Sequence, residues 1–173
     1  MTQPVTSREK WFNHRTDLTG EHHFGDLGQA LAFIIFMTVW IADIFFLQWT
    51  SPANHLLPGW VRLLIGAGIL FLAGYLARSG LTIVFSEVRE TPAVIRKGIF
   101  RFLRHPIYFS EVLIYSGSLV LGFSWAALVI AAGATSFLYF LSRYEEKLLL
   151  NRFGDEYRKY MNDVGMWIPR LRR

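Results

Sequence analysis

Two short clusters carry most of the residues able to do chemistry. The first is Arg104-His105-Pro106-Ile107-Tyr108, with Glu111 three residues on; the second is Glu145-Glu146. Arginine and histidine supply cationic donors, tyrosine a hydroxyl, and the three glutamates supply carboxylates that accept protons or bind cations. A proline at the first turn of a helix loses no hydrogen bond, because the N–H it lacks would be unpaired there. The free N–H groups at that helix start suit a carboxylate, and a glutamate pair suits a cation or sugar hydroxyls. Such a combination fits a zwitterionic ligand. Plainer readings stand beside this one: a salt bridge of Arg104 with Glu145, and an ion pair of Glu111 with a nearby arginine.

What positions these clusters is apolar. The 173-residue chain is 53% hydrophobic and 16% aromatic, and its mean hydropathy is +0.30. Its apolar residues fall in long runs, which indicate membrane spans. The runs predict four of them, at Leu27–Leu47, about Trp60–Val84, Ile107–Gly122 and Trp125–Ser142. About 20 helical residues cross a hydrocarbon core, so the last two are short for the task. Only Phe123 and Ser124 separate Gly122 from Trp125, which makes the third and fourth spans an antiparallel hairpin. Both polar clusters then lie at one mouth of that hairpin. The segment from Arg78 to Arg104 reads as amphipathic and interfacial, and the tail after span four as one helix continuing into water to about Gly165.

The basic residues give an orientation. Three Lys or Arg precede the first span, six lie from Arg78 to Arg104, and eight follow Ser142, leaving Arg62 alone on the other side. The positive-inside rule places both termini in the cytoplasm. The net charge of +5 is thereby assigned to membrane orientation rather than to nucleic acid. Small residues at Gly66, Ala67, Ala73, Gly74 and Ala77, and at Ala131, Ala132 and Thr135, suit close helix packing. Asp43, inside the first span, reads as a helix–helix hydrogen bond or a protonated acid. With no cysteine there is no disulfide or thiolate chemistry, and His14, His22 and His23 in a charged tail do not read as a metal site.

The motif R-H-P-x-Y at 104–108, followed by E-E-x-x-L-x-x-x-F-G-x-x-Y-x-x-Y from Glu145 to Tyr160, resembles the isoprenylcysteine carboxyl methyltransferase and phospholipid methyltransferase superfamily. The likeness covers roughly Glu87 to Pro169. It implies an all-α integral-membrane bundle of about four transmembrane helices with a C-terminal cytoplasmic helix. The organisation would be a polar tail over 1–26, two spans over 27–86 and a cofactor-binding core over 87–173. It further implies S-adenosyl-L-methionine as cofactor and methyl transfer to a lipid or lipophilic acceptor, with the bilayer and no nucleic acid as partners. The cofactor-binding positions carried over are Ala93, Val94, Ile95, Phe100, His105, Pro106, Ile107, Tyr108 and Glu145. The expected catalytic positions are Arg104, to orient an anionic group, and Glu111 or Glu146, to take a proton from an amine or thiol.

Three positions depart from the family's pattern. Phe100 stands where tyrosine is usual, Ser110 where glycine is common, and Leu141 where the isoprenylcysteine enzymes carry an arginine facing the substrate carboxylate. Two alternatives accompany this reading. One is a relative of the sterol reductases, whose hairpin motif Ser110-Glu111 echoes but whose chains have many more spans. The other is a non-catalytic membrane assembly protein.

Overall fold

The computed structural model describes residues 23–49, 54–86 and 93–170. The N-terminal tail with Arg8, Lys10, His14, Arg15 and His22 lies outside them, as do Arg89, Arg172 and Arg173. Among the described residues the chain is all helical: α1 (His23–Ala42), α2 (Gly59–Ser86), α3 (Pro106–Leu121), α4 (Trp125–Phe153) and α5 (Asp155–Asp163). A π-helical turn, Asp43–Leu47, ends the first span, and a 3-10 turn, Gly98–Arg101, precedes α3. Leu27–Leu47, α2 and α4 are long and apolar enough to cross a membrane; α3 is a shorter apolar helix beside them. Phe46, Phe71, Val129 and Phe140 are among the large apolar side chains that remain exposed, as suits an integral-membrane protein whose solvent is lipid.

The first three spans agree with the sequence boundaries to within a residue or two. The fourth starts at the expected Trp125, but its helix runs on past Ser142 to Phe153. The agreement comes from strong local signals. Pro106 opens α3, Ser124 caps α4 by accepting from the Ala127 amide at 3.2 Å, and Gln48 ends the first span in a left-handed conformation. The tail differs from expectation. It breaks at Gly154, whose φ of +54° favours glycine, so α5 leaves α4 at an angle instead of continuing it.

Helices α2 and α3 make the closest approach. A Cβ on Gly66 would meet Leu121 at 2.6 Å, and one on Gly117 would meet Leu70 at 2.9 Å. These glycines let the two backbones cross where side chains would hold them apart. Ala73 and Ala131 are buried as the small-residue pattern predicts, whereas Ala67, Gly74 and Ala132 face outward. The other side of α3 is aromatic: Tyr115 packs on Phe36 with ring centres 4.6 Å apart, in a core completed by Ala127, Ala131, Ala134 and Leu138 of α4.

Arg62, the one basic residue predicted for the far end, has a defined task there. Its Nε donates to the Val120 carbonyl at 3.3 Å, its Nη1 to the Asn54 carbonyl at 2.6 Å, and its Nη2 to the Leu121 carbonyl. It therefore satisfies carbonyls that the last turn of α3 leaves without helical partners. Asn54 clasps the Phe123 peptide from both sides, and Trp40 donates to the Gly122 carbonyl at 2.7 Å. Asp43 accepts from the Trp49 amide at 3.0 Å, within its own segment. Arg62→Ala is expected to destabilise the protein by about 2–3 kcal/mol in a detergent melt. Arg62→Lys should recover little, since one ammonium cannot span three carbonyls.

Candidate active site

The hairpin mouth is closed by a strap of chain that follows α5. Leu103 and Gly165 form a parallel bridge, the Arg104 amide donates to the Gly165 carbonyl at 2.9 Å, and the His105 amide donates to the Met166 carbonyl at 3.1 Å. These amides precede a helix that begins with proline, so no helical carbonyl is available to them. The strap supplies the carbonyls.

Arg104 fastens the end of α5 and the start of the same strap through its side chain. Nη1 donates to the Met161 carbonyl at 2.8 Å and to the Val164 carbonyl at 2.6 Å. Nε and Nη2 reach Glu146 Oε1 at 2.8 and 2.7 Å. The mouth salt bridge that the sequence allows is therefore present, with Glu146 as the partner. Arg143 adds a 3.4 Å contact to the other Glu146 oxygen.

His105 lies between the two acids. Its Nδ1 is 3.5 Å from Glu145 Oε2 and its Nε2 is 3.5 Å from Glu146 Oε1. The ring stacks on Tyr108, 5.7 Å between centres and 7° from parallel, and the Tyr108 hydroxyl donates to Glu145. Burial works against a charged imidazole, but hydrogen bonding and attraction from Glu145 and Glu146 win, so the pKa is raised above the ordinary 6.5. The folded protein then binds this proton more tightly than the unfolded chain. Its contribution is complete below about pH 6.5 and is lost as pH rises through the raised value. Melts of the wild type against His105→Gln across that range should show the wild-type advantage shrinking as pH increases.

The structure thus brings Arg104, His105, Tyr108, Glu145 and Glu146 together. Pro106 and Ile107 turn instead toward Gly80 of α2, where an added Cβ would meet them at 3.5 and 2.8 Å. Ala93, Val94, Ile95 and Phe100 precede α3 in the chain, Phe100 within the 3-10 turn. Val94 packs on the α5 cluster of Tyr157, Tyr160 and Val164, and the buried Phe100 accepts from the Tyr160 hydroxyl at 2.6 Å. Burial pushes the Tyr160 hydroxyl pKa up, which keeps it a donor. Arg96 lies 5.3 Å over the Tyr160 ring.

Glu111 stands apart from the mouth. It lies one turn beyond Tyr108 on α3 and accepts from the Tyr115 hydroxyl, with the Gln29 side chain as a second partner. Among the described residues no cation pairs with it, so the ion pair that the sequence suggests is replaced by two neutral partners.

Sequence reasoning did not single out Tyr115, Gln29, the strap carbonyls or Trp167. Trp167 packs against the Phe36–Tyr115 core and edge-on to Tyr139, with ring centres 6.1 Å apart. Its Nε1 is buried without a hydrogen-bond partner, and so is His105 Nε2, for which Glu146 stands at the limit of reach. Trp167 lies past the last helix, where no periodicity announces a contact; only its place in the apolar Met166-Trp167-Ile168 run hinted at burial.

Fold and site together define a helical integral-membrane protein with a buried histidine–tyrosine–diacid cluster at the mouth of a two-helix hairpin. The chain belongs to the phospholipid methyltransferase family, which matches residues 61–156, more than half its length. That match begins inside α2, earlier than the motifs alone indicate. Similar proteins include methanethiol S-methyltransferase 1 of Bradyrhizobium diazoefficiens, 35% identical over 78 residues, 41% of this chain and 24% of that protein. Protein-S-isoprenylcysteine O-methyltransferase of Dictyostelium discoideum is 27% identical over 163 residues, 86% of this chain and 62% of that protein. A methanethiol S-methyltransferase of Mycobacterium tuberculosis is 32% identical over 71 residues, 41% and 28% of the two chains. The matched regions cover less than two thirds of each of these relatives.

Proposed function

We propose that the protein transfers a methyl group from S-adenosyl-L-methionine to a lipophilic acceptor at the membrane face that carries the hairpin mouth, the cytoplasmic face by its basic residues. The observation that carries this reading is the junction of the two motifs. Tyr108 of α3 donates to Glu145 of α4, and His105 lies between Glu145 and Glu146. Family membership and the names of the similar proteins point the same way.

The residues fit the cofactor's polar groups. His105 Nε2 and Trp167 Nε1 are buried without a hydrogen-bond partner, so a ligand beside them could supply the missing bonds. Glu145 is the more open of the two acids, its side chain 15% exposed against 2% for Glu146. Glu145 and Tyr108 would hold sugar hydroxyls or the ammonium group, and His105 the carboxylate end. Ala93, Val94, Ile95 and Phe100 would wall the approach, while Pro106 and Ile107 fix the start of α3. Arg104 and Glu146 position this set by locking the strap across the mouth. S-adenosyl-L-methionine bound there supplies an electrophilic methyl group on a sulfonium. The chain's part is then alignment and water exclusion more than acid–base chemistry.

The similar proteins are named for a thiol and for a prenylated cysteine, so sulfur and carboxylate acceptors head the panel to be tested. With labelled cofactor and detergent-purified protein, label is expected in a lipophilic acceptor. Glu145→Ala should lower that transfer at least about 100-fold while leaving the melting temperature within a few degrees. Unchanged transfer by Glu145→Ala would remove Glu145 from the site.

A further inference from the structure

Two exposed apolar side chains at the mouth belong to no helix, and both flank the bridge that closes it. Phe102 is 58% exposed and Ile168 76%, whereas the bridging Leu103 is buried. Phe102 directly precedes Leu103, which pairs with Gly165. The turn after Gly165 brings Ile168 back onto it, so that a Cβ on Gly165 would meet the Ile168 carbonyl oxygen at 1.8 Å. The spans set the depth of this patch. The 3-10 turn that ends at Arg101 packs on the last turn of α2, where a Cβ on Gly98 would meet Ile83 at 2.4 Å. On the other side Trp167 lies edge-on to Tyr139, one turn before the apolar run of α4 ends at Ser142. Both sides of the bridge therefore lie level with the ends of membrane helices, at the depth of the lipid headgroups. The charges beside the patch suit that depth. Arg101 and Arg170 are exposed, and among the described residues neither pairs with an acid. Arg170 Nη1 donates to the Asn162 carbonyl at 2.5 Å, which leaves its other N–H groups available.

We propose that Phe102, Ile168, Arg101 and Arg170 form a seat for anionic phospholipid of the surrounding bilayer, and that this contact holds the strap shut across the mouth. The two apolar side chains enter the interface, and the planar guanidinium groups take the lipid phosphates. The bilayer is the occupant because the patch continues the exposed apolar surface of the spans, through Phe85 of α2 and Phe140 of α4. Phe102 adjoins one partner of the Leu103–Gly165 bridge and Ile168 the other, so one lipid surface anchors both. Opening the strap then means withdrawing an apolar side chain and breaking a phosphate contact. That comes on top of parting the Arg104 and His105 amides from the Gly165 and Met166 carbonyls. A negative membrane surface attracts basic segments that lie close to it, so closure strengthens with the anionic share of the bilayer.

The test uses the full chain in nanodiscs of phosphatidylcholine alone and with about one third phosphatidylglycerol, whose headgroup is net negative. The first readout is hydrogen exchange at the Arg104 and His105 amides, without cofactor. It should be about 3–10-fold slower with phosphatidylglycerol, while the α2–α3 crossing at Gly66 and Gly117 exchanges equally in both discs. Arg101→Gln combined with Arg170→Gln should lose the difference. Arg158→Gln, at an exposed arginine on α5, should keep it. Phe102→Ser combined with Ile168→Ser should exchange faster at both amides in either disc, with the crossing still protected. The second readout is calorimetry of S-adenosylhomocysteine, which carries no net charge and is therefore not itself concentrated at a negative surface. On the methyl-transfer reading its affinity should rise with phosphatidylglycerol by the same factor. Equal exchange in the two discs overturns the proposal, as does native exchange in the Phe102 and Ile168 variant. A lipid effect that survives the loss of Arg101 and Arg170, or that Arg158→Gln abolishes as well, assigns it to general surface charge and overturns the seat. Inorganic phosphate that slows exchange equally in phosphatidylcholine discs makes a free anion the ligand and overturns it too. A folded protein that binds no S-adenosylhomocysteine sinks the methyl-transfer reading alone, and the exchange result still decides this one.

Discussion

Alanine at Arg104 is expected to release the C-terminal strap, cost about 3–5 kcal/mol and abolish cofactor binding. The magnitude follows from what the side chain leaves behind. Glu146 is almost fully buried, and without Arg104 it keeps only the long contact to the exposed Arg143 and the imidazole of His105. Removing one partner of a buried ion pair costs that much because the other charge stays desolvated. The Met161 and Val164 carbonyls lose their donor in the same substitution. Arg104→Lys is expected to resemble alanine, because an ammonium is one point of charge where the guanidinium serves a carboxylate and two carbonyls at once. Thermal melts with and without S-adenosylhomocysteine check this. The variant should melt lower and show no shift on adding ligand.

Gly165→Ala should act on the same strap from the other side. A Cβ there would sit 1.8 Å from the Ile168 carbonyl oxygen and 2.9 Å from its carbon. Both are backbone atoms of the turn that folds Ile168 back on Gly165, so no rotamer change relieves the clash. The turn must open, which displaces the Gly165 and Met166 carbonyls from the Arg104 and His105 amides. Overpacking of this kind costs about 1–3 kcal/mol. The more telling result is local. Hydrogen exchange at the Arg104 and His105 amides should rise well above wild type, while the α2–α3 crossing at Gly66 and Gly117 keeps its protection. S-adenosylhomocysteine affinity should fall by more than about tenfold. An alanine variant with native exchange at both amides would contradict the strap's role.

The spans were legible because membrane helices are read from run length and from their ends, and both signals are local. Gly154 was not read as a break, since a single glycine within a helical pattern is compatible with continuation. The mouth cluster was legible in its membership but not in its pairing. Arg104 could be paired with either acid, and the strap carbonyls that engage it come from 57 and 60 residues away, beyond any periodic signal. Glu111 was expected to meet an arginine because arginines precede it in the chain. Helical geometry carries it round α3 to the side facing α1, where Tyr115, four residues on, shares its face. Arg104, outside the helix, is bonded to Glu146 and to the strap. Trp167 and Gln29 became visible only when the fold brought the tail and the first span to the same side of α3.

The central claim is that the cluster of His105, Tyr108 and Glu145 binds the methyl donor. Its most direct test is calorimetry of S-adenosylhomocysteine with purified wild type and Glu145→Ala, in detergent and again in nanodiscs. The account predicts binding by the wild type in both settings and its loss in the variant at unchanged fold. A folded wild type that binds no S-adenosylhomocysteine in either setting would contradict it.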